Sequence, residues 1–451
     1  MKQAIAVFDI GKTNKKFLLF DKELKPFYVV EEVFSEIQDE DGVGCDDVEK
    51  IRSWMTDTLL EFNDHPDIQI IAVNFSTYGA TLMHLDAQGK ELTPLYNYLK
   101  PLDESITSEL YSRFGGVDEF SRQTASPALG FLNSGLQILW LKHQRPEVFE
   151  KVKHILHFPQ YCSYLLTGNI ASEYTSIGCH TAMWDFDHMT YHPWLAQEGI
   201  TLPEPIPNET VFPCSLPDLN MVVGTGIHDS SASLAPYLMC SKEKFIILST
   251  GTWCINMNPF NEEPLTREQL QSDCLSYMSI NRKPVKSSRL FMGHIHDVNL
   301  ERIQAYYQVD KDAYKTVKYN EQIVDRLLTG GQKFFSNGVP ADYIDKEVDL
   351  SSFKSFEEAY HRLMIDLTDL CVASIGLILP EKDDIGEVYI TGGFARSDIF
   401  VSYLAGKLKG KRVFTSEIDN ASALGAAMVV YEQSGFGALP EIDLGLADRS
   451  L

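Results

Sequence analysis

Several features that would place a chain in a broad class are missing from this sequence. It has no run of roughly 18 or more apolar residues, so it predicts no membrane-spanning helix. Its eight cysteines stand singly, without the C-x-x-C pairs typical of zinc or redox sites, and we interpret them as reduced thiols. The opening segment has a short apolar run that is unlike a secretory signal, so we expect a cytoplasmic protein.

Basic residues are scarce relative to acidic ones, with 39 Lys and Arg against 63 Asp and Glu and a formal net charge of -24. An acidic surface repels phosphate backbones and anionic membranes, so we expect neither nucleic acid nor a membrane as a partner. A small anion that arrives as a magnesium complex stays compatible, because backbone N–H groups in one cleft can bind it.

Two nucleotide-binding signatures are also absent. The chain contains no G-x-x-x-x-G-K-[ST] sequence, which argues against a P-loop enzyme. The segment Gly224-Thr225-Gly226 lacks the third glycine of a dinucleotide fingerprint, which disfavours an NAD-linked oxidoreductase.

The pattern that is present predicts two α/β domains. A chain of 451 residues exceeds the roughly 250–300 at which one hydrophobic core stops growing. The apolar runs AIAVFDI and KKFLLFD predict two strands around a glycine turn, followed by a helix from Val48 to Phe62 and the strand QIIAVNFS. From Lys244 the strand, Gly/Thr turn and strand recur as KFIILST and WCINMN, which indicates an internal duplication. Two such halves imply a cleft between them.

The rest of each half is predicted in less detail. Between residues 94 and 220 we expect insertions that shape a substrate pocket, with helices over LNSGLQILWLKHQ and VKHILHFPQYCSYLL. The second half predicts a long helix from Phe356 to Ile378, the strand EVYITGG, a helix from Ser397, the strand RVFTSE and a final helix from Ala421.

Two turns carry similar hydrogen-bond donors. In the first, Gly11 permits close approach to an anion, Lys12 and Thr13 offer donors, and Asp9 at the strand end can hold magnesium. Alone, this turn is more simply a glycine hairpin with a capping aspartate. A second turn with Thr250, Gly251 and Thr252 at the matching place of the other half favours two phosphate-binding loops facing one cleft.

A further carboxylate follows a glycine-containing segment. Asp229 precedes small residues that suit a helix start, where the helix dipole would keep it ionised and able to accept a proton from a hydroxyl. An ordinary helix N-cap explains the same residue equally well. The neighbouring His228 could bind a hydroxyl group, although an isolated histidine is more often structural.

Near the end of the chain a strand runs into Gly392 and Gly393 and then into a helix that starts near Ser397. Such a turn allows a purine and its ribose to lie on the backbone, close to Phe394, with the helix N-terminus near the phosphates. A plain strand-to-helix turn is the alternative.

In order, DIGKT, GIHD, STGTW, ITGGFARS and NASALGAA resemble the signatures of the FGGY family of carbohydrate kinases over essentially the whole chain. The resemblance implies two actin-like ATPase (ribonuclease H-like) domains, a sugar-binding one over residues 1–240 and an ATP-binding one over residues 241–451. It implies ATP and Mg²⁺ as cofactors and a small-molecule sugar as substrate. A homodimer is left open.

By residue, the resemblance makes Asp229 the catalytic base and Asp9 the metal-binding residue. The implied groups are phosphate-binding Gly11, Lys12, Thr13, Thr250, Gly251 and Thr252, adenosine-binding Gly392, Gly393, Phe394 and Ser397, and sugar-binding Thr77, Tyr78, Gly79, His228 and Asp229.

The Tyr78-Gly79 pair and the His-Asp-Ser-Ser-Ala-Ser run are most similar to rhamnulokinase-like and fuculokinase-like members, which implies a 6-deoxyketose substrate such as L-rhamnulose or L-fuculose. Lys12, Phe394 and Asn420 depart from the commoner family pattern. An actin-like ATP-binding chaperone or regulator without kinase activity is the alternative from another class.

Overall fold

The computed structural model describes residues 1–450, which form two mixed β-sheets of seven strands each. The strands of the first half are β1 (Lys2–Ile10), β2 (Asn14–Phe20), β3 (Pro26–Val33), β4 (Ile37–Gln38), β5 (Gly44–Cys45), β6 (Ile68–Thr77), β7 (Leu82–Leu85), β8 (His154–His157), β9 (Ser172–Glu173), β10 (Trp184–Asp185), β11 (Thr190–Tyr191), β12 (Pro205–Ile206), β13 (Val211–Pro213), β14 (Val222–Gly224) and β15 (Ile227–His228). Its helices are α1 (Val48–Asn63), α2 (Glu104–Arg113), α3 (Val117–Gln123), α4 (Ser134–Gln144), α5 (Pro146–Phe149), α6 (Phe158–Thr167), α7 (Tyr174–Ile177), α8 (Trp194–Gln197) and α9 (Asp229–Cys240).

The second half contributes the other sheet. Its strands are β16 (Phe245–Thr250), β17 (Cys254–Asn258), β18 (Cys274–Met278), β19 (Pro284–Leu290), β20 (Glu387–Gly392), β21 (Arg412–Ser416) and β22 (Leu446–Asp448). Its helices are α10 (Arg267–Gln271), α11 (Met292–Tyr307), α12 (Glu321–Thr329), α13 (Phe356–Gly376), α14 (Asp398–Lys407) and α15 (Ala421–Val429).

The two sheets repeat one topology, which confirms the predicted duplication. In the first sheet β1, β2 and β3 are antiparallel neighbours, and β6 adds to β1 in parallel. In the second sheet β16, β17 and β19 are antiparallel neighbours, and β20 adds to β16 in parallel. A further strand pairs in parallel with β6 and with β20. Parallel strands point their carboxyl ends to one edge, so each sheet presents its loops and carboxylates there.

Local sequence explains the elements that the apolar pattern predicted. Helix α1 begins after Asp47, whose side chain accepts a hydrogen bond from the Lys50 N–H, and its apolar side packs on strands β1 and β2. Helix α6 ends at Gly168, which has a left-handed backbone that favours glycine.

One predicted helix is wrong in its first part. The segment VKHILHFPQYCSYLL was expected to be helical throughout, but its residues His154–His157 form strand β8, which pairs with β7. Pro159 explains the change, because a proline has no N–H and its ring clashes with the carbonyl four residues earlier, so it is tolerated in the first turn of a helix but not in the interior of the longer helix that was predicted.

Helices α9 and α15 cross between the two halves. Helix α9 comes from the first half, yet its Tyr237 packs against Phe245 and Tyr389 of the second sheet. Helix α15 comes from the second half, yet the carbonyl of its Ala426 accepts a hydrogen bond of 2.8 Å from Asn74 of β6. Each half therefore covers one face of its own sheet with a helix of the other half.

Along the chain, the first sheet is followed by the second between α9 and β16. Helices α9 and α15 nevertheless each pack on the sheet of the other half. The assignment of sugar to residues 1–240 and of ATP to residues 241–451 stays a prediction. Within residues 1–450, no helix is both long and apolar enough to cross a lipid bilayer.

Candidate active site

The predicted metal and base carboxylates lie at one edge of the first sheet. Strand β6 runs between β1 and β15, with Ser76 opposite both Asp9 and Ile227, and Thr77 opposite both Ile10 and His228. Since neighbouring strands are about 4.8 Å apart, the ends of β1 and β15 are separated by roughly 10 Å. Asp9 and Asp229 thus flank Thr77 at the carboxyl ends of parallel strands.

Asp229 is the first residue of helix α9, and its side chain is 38% exposed. Its Oδ1 lies 3.3 Å from the Ser230 hydroxyl, which donates to it, and 3.3 Å from His228 Nδ1. The interpretation of Asp229 as the N-cap is wrong, because the cap is His228, whose ring nitrogen accepts from the Ser230 N–H. The Asp229 carboxylate is therefore not consumed by capping, and it lies at the positive end of the helix dipole.

The His228 ring is buried and lies against the loop that carries Tyr78 and Gly79. Burial lowers the pKa of His228, so the imidazole is neutral. Its Nδ1 accepts from Ser230, which assigns the ring proton to Nε2. A side chain at Gly79 would place its Cβ 2.5 Å from that Nε2, so this close approach requires glycine.

Tyr78 and Thr77 use their hydroxyl groups inside the protein. The Tyr78 hydroxyl donates to Asp46 at 2.5 Å, and the Thr77 hydroxyl donates to the Tyr78 carbonyl at 2.8 Å. The Tyr78 ring packs against Phe158 at 5.3 Å between centroids. The Tyr78 and Phe158 rings therefore belong to the apolar core of the first half, with the phenol hydroxyl already satisfied.

Two further imidazoles accompany His228. Burial lowers the pKa of His157 and of His180 to about 3 in each case, so both imidazoles are neutral, as is that of His228. No motif marks either residue, because His157 ends a short strand and His180 follows a four-residue helix. Only their proximity in the fold identifies them as companions of the site.

Asp9 is suited to a divalent cation. Burial raises the pKa of its carboxyl above the ordinary value, and the charge of Asp229 raises this pKa further. The Ser422 hydroxyl, which donates to Asp9 Oδ2 at 2.8 Å, lowers the same pKa. Among residues 1–450, no cluster of three or more His, Cys, Asp or Glu could hold a metal by itself. The residues fit Mg²⁺, which commonly uses one or two carboxylates together with water and phosphate oxygens.

Lys12 is paired rather than free. Its Nζ lies 2.7 Å from Glu36 and 2.9 Å from Asp46, and Asp46 also binds the buried Lys15 at 2.9 Å. Gly11 and Thr13 lie in the hairpin turn, where the Gly11 N–H donates to the Asn14 carbonyl. Thr13 is exposed at this tip.

The loop with Thr250, Gly251 and Thr252 is hydrogen-bonded to the turn around Gly392 and Phe394, which the resemblance predicts to bind adenosine. The Thr250 hydroxyl accepts a hydrogen bond of 3.0 Å from the Phe394 N–H and donates to the Thr391 carbonyl. Gly392 has a φ of +82°, and a side chain there would strike the Thr250 carbonyl, so the turn requires glycine. Thr250 therefore fixes the turn internally, whereas Gly251 and Thr252 are exposed.

A cavity of about 460 Å³ lies between this loop and the turn. It brings together six predicted or neighbouring residues, namely Gly251, Thr252, Gly393, Phe394, Arg396 and Ser397. It also contains residues that the sequence did not single out: Gly293, His296, Asp297, Tyr314, Lys315, Val317, Lys318, Tyr360 and Asp398.

Aromatic rings form much of the wall of this cavity. The His296 ring lies 5.3 Å from Phe394, 5.6 Å from Tyr314 and 5.9 Å from Tyr360, in each case nearly perpendicular. These rings come from separate segments without a shared motif. Of these residues, the sequence singled out Phe394 alone, because it occupies a position where the family that the sequence resembles often has a glycine.

A second cavity of about 510 Å³ lies beside helix α9. Arg396 lines both cavities, and the second is bounded by Ser233 and Tyr237 of α9 and by Ser249, Thr391 and Gly392. Ser233 lies one helical turn after Asp229, on the same side of α9. Helix α9, which begins with Asp229, and the loop with Gly251 and Thr252 therefore border two cavities that share Arg396.

Two protein-family models match most of the chain. The model of the FGGY family of carbohydrate kinases, N-terminal domain, matches residues 4–208. The model of the carbohydrate kinase FGGY C-terminal domain matches residues 242–437.

Curated relatives are similar at low identity. A protein named rhamnulokinase from Halalkalibacterium halodurans is 22% identical, with 92% of this chain and 88% of that protein covered. A protein of the same name from Yersinia pestis is 27% identical over about half of each chain, 52% of this one and 49% of the relative.

Solved structures show the same fold. A carbohydrate kinase from Novosphingobium aromaticivorans has a TM-score of 0.80 at 22% identity, with 99% of this chain and 96% of that chain covered. A ligand-bound xylulose kinase from Lactobacillus acidophilus has a TM-score of 0.75 at 17% identity, with coverages of 99% and 92%. The predicted class of two actin-like (ribonuclease H-like) domains is confirmed by these likenesses.

Proposed function

The chain belongs to the FGGY family of carbohydrate kinases, and on this premise we propose that Asp229 is the base in phosphoryl transfer from ATP to a small ketose. The alternative of an actin-like chaperone or regulator is set aside, because both matching family models describe carbohydrate kinases.

One observation carries the proposal: the two cavities that share Arg396 as a lining residue. The aromatic-walled cavity suits a purine nucleoside, since rings offer flat apolar surfaces and the neighbouring Gly393 leaves the backbone open. The other cavity follows helix α9, which starts with Asp229. A nucleotide whose purine lies among the aromatic rings would extend its phosphates toward Asp229, the proposed catalytic base.

In the proposed reaction Asp229 orients the attacking sugar hydroxyl and takes its proton as the bond to phosphorus forms. The exposed Thr13 and Thr252 would donate hydrogen bonds to phosphate oxygens. When bound near Asp9, magnesium would neutralise phosphate charge. Because phosphoryl transfer needs little covalent chemistry from the protein, these residues act through position and charge.

We further propose a 6-deoxyketose, such as L-rhamnulose or L-fuculose, as the substrate. The Tyr78-Gly79 pair, which lies against His228, supports this, because it is the segment that resembles rhamnulokinase-like and fuculokinase-like members. The relatives named rhamnulokinase support it as well. One methyl group supplies only about 1–3 kcal/mol of discrimination, so neighbouring ketoses should react more slowly rather than be refused.

The test is ADP release, measured by a coupled assay, with ketoses and polyols added singly. We expect a 6-deoxyketose to give the highest kcat/KM. In Asp229→Asn, turnover should fall by a factor on the order of 100 or more, since the amide cannot accept the proton, while ATP and sugar still bind.

Asp57→Asn is the matched control, because it removes a carboxylate from the exposed side of helix α1 and should leave turnover unchanged. Near-normal turnover in Asp229→Asn would assign the base to another group. A polyol or an aldose preferred over every ketose would reject the proposed substrate class.

A further inference from the structure

A buried carboxylate that the proposed reaction does not use lies behind the start of helix α9. Glu173 is fully buried at the end of β9. Its two oxygens accept hydrogen bonds from the Thr175 N–H at 2.9 Å, the Thr175 hydroxyl at 2.6 Å and the Ser176 N–H at 3.2 Å. The carboxylate thus fixes the first turn of the short helix α7 and the direction of the Thr175 hydroxyl.

The Thr175 hydroxyl makes a second contact that leaves its own helix. Its oxygen accepts the backbone N–H of His228 at 3.0 Å. Thr175 is fully buried, so water cannot replace this hydrogen bond. His228 is the residue between strand β15 and helix α9, and Asp229 follows it directly.

The same short helix also leads to other groups around Asp229. The turn after α7 carries Cys179, whose thiol pKa is raised by burial and also by the charge of Asp229. Gly178 packs against Met278 of the second half, whose carbonyl accepts a hydrogen bond of 2.7 Å from the Ser231 hydroxyl. Helix α7 is therefore fixed where both halves meet the start of α9.

We propose that Glu173 and Thr175 are positioning residues for Asp229. The carboxylate orients the Thr175 hydroxyl, and this hydroxyl holds the His228 amide and hence the first residue of α9. The inference rests on the proposed role of Asp229 as the base. It requires no contact between these two residues and either substrate.

The arrangement needs Glu173 in its ionised form, because four groups donate to it: the N–H and the hydroxyl of Thr175 and the N–H and the hydroxyl of Ser176. A carboxylate also polarises the Thr175 hydroxyl and makes its oxygen a better acceptor for the His228 N–H. Protonation would force the Glu173 hydroxyl to donate and would turn the Thr175 hydroxyl away. Burial raises the pKa of Glu173 to about 7, so this change falls near neutral pH.

The elements packed against α7 contribute no compensating charge. These elements are β9, β12, β15 and β18, and besides Glu173 their titratable residues are His228, Cys274 and Tyr277. Burial lowers the pKa of His228 and raises that of Cys274 and of Tyr277, so all three are neutral around pH 7. Glu173 is the group on these elements that changes charge in that range.

The first test compares Thr175→Val with Thr175→Ser. Valine keeps the shape but leaves the His228 N–H without an acceptor, so we expect kcat to fall about 10-fold while the KM for ATP is unchanged. Serine keeps the hydroxyl and should restore most of the turnover. Equal kcat values for the two variants would overturn the proposal.

A second readout does not depend on activity. Hydrogen exchange of the peptide containing residues 226–232 should be slow in the wild-type protein and in Thr175→Ser, and faster in Thr175→Val. If no sugar is phosphorylated, this measurement still decides the role of Thr175, so failure of the proposed function and failure of this inference are distinguishable. Equal exchange in both variants would contradict the inference.

The third test uses pH. In the wild-type enzyme kcat should decline as the pH falls below about 7, because protonated Glu173 no longer holds Thr175. Glu173→Gln has no ionisation and one fewer acceptor, so its kcat should be lower and flat between about pH 6 and pH 8. The same acid decline in Glu173→Gln would exclude Glu173 as its cause.

Discussion

At the scale of single residues, the two predicted phosphate loops contain two kinds of donor. Thr13 and Thr252 are exposed, so their hydroxyl groups are open to a ligand. Thr250 instead bridges Thr391 and Phe394, and Lys12 is neutralised by Glu36 and Asp46. A phosphate contact from Lys12 would require this amine to leave at least one carboxylate.

This competition predicts effects of opposite sign for two variants. Lys12→Met should raise the KM for ATP, whereas Glu36→Gln should lower it about two- to fivefold, because an exposed ion pair that holds the amine back is worth about 0–1 kcal/mol. Initial rates at several ATP concentrations measure both. If Lys12→Met leaves this KM unchanged, the predicted phosphate contact of Lys12 is wrong.

At the scale of elements, the contact between α9 and α15 is unusually close because of small residues. A side chain on Gly425 would place its Cβ 1.9 Å from the Ala232 carbonyl and 3.0 Å from the Ala235 side chain. These helices also carry Asp229 at the start of α9 and Ser422, which binds Asp9, at the start of α15. Their spacing therefore sets the positions of both predicted carboxylates.

We expect Gly425→Ala to destabilise the protein by about 1–3 kcal/mol, because the added methyl group forces the two helices apart. Thermal or urea unfolding measures the change. Gly376→Ala is the matched control: it lies near the end of α13 with nothing within 4 Å, so it should be neutral or stabilising by up to about 1 kcal/mol. Equal effects of the two variants would refute the close-packing argument.

At the scale of the whole molecule, the two sheets share a cleft and exchange one helix each. The cavity beside α9 is bordered by both halves, through Ser233 and Tyr237 of α9 on one side and β16, β20 and Ala421 of α15 on the other. Closing such a cleft would exclude water that could otherwise accept the phosphoryl group. Relative motion of the two halves is thus expected to accompany binding of both substrates.

Small-angle scattering tests this motion. A compact chain of this length has a radius of gyration of about 22 Å, and we expect a decrease when a non-hydrolysable ATP analogue and the sugar are both present. Each ligand alone should give a smaller decrease. An unchanged radius with both ligands bound would show that the cleft does not close.

The repeated sheet topology and the phosphate-loop candidates could be predicted from the amino-acid order, because they depend on local patterns. Alternating apolar runs such as AIAVFDI and KFIILST specify strands, and Gly11 and Gly392 mark turns that other residues fit poorly. The position of Asp229 at a helix start was also readable, since small residues follow it. The predicted contacts of these residues with ATP and sugar remain predictions.

Contacts between residues that are far apart in the sequence depend on how the two halves pack, and they became visible in the folded structure. The aromatic wall joins His296, Tyr314, Tyr360 and Phe394 from four segments, and Lys12 finds Asp46 across 34 residues of chain. Hydrophobic periodicity in the sequence predicts which face of a helix or strand is buried, but not which residues pack against that face. The partners are selected by packing of the two halves, which is why the helix exchange and the link from Glu173 to His228 left no pattern in the sequence.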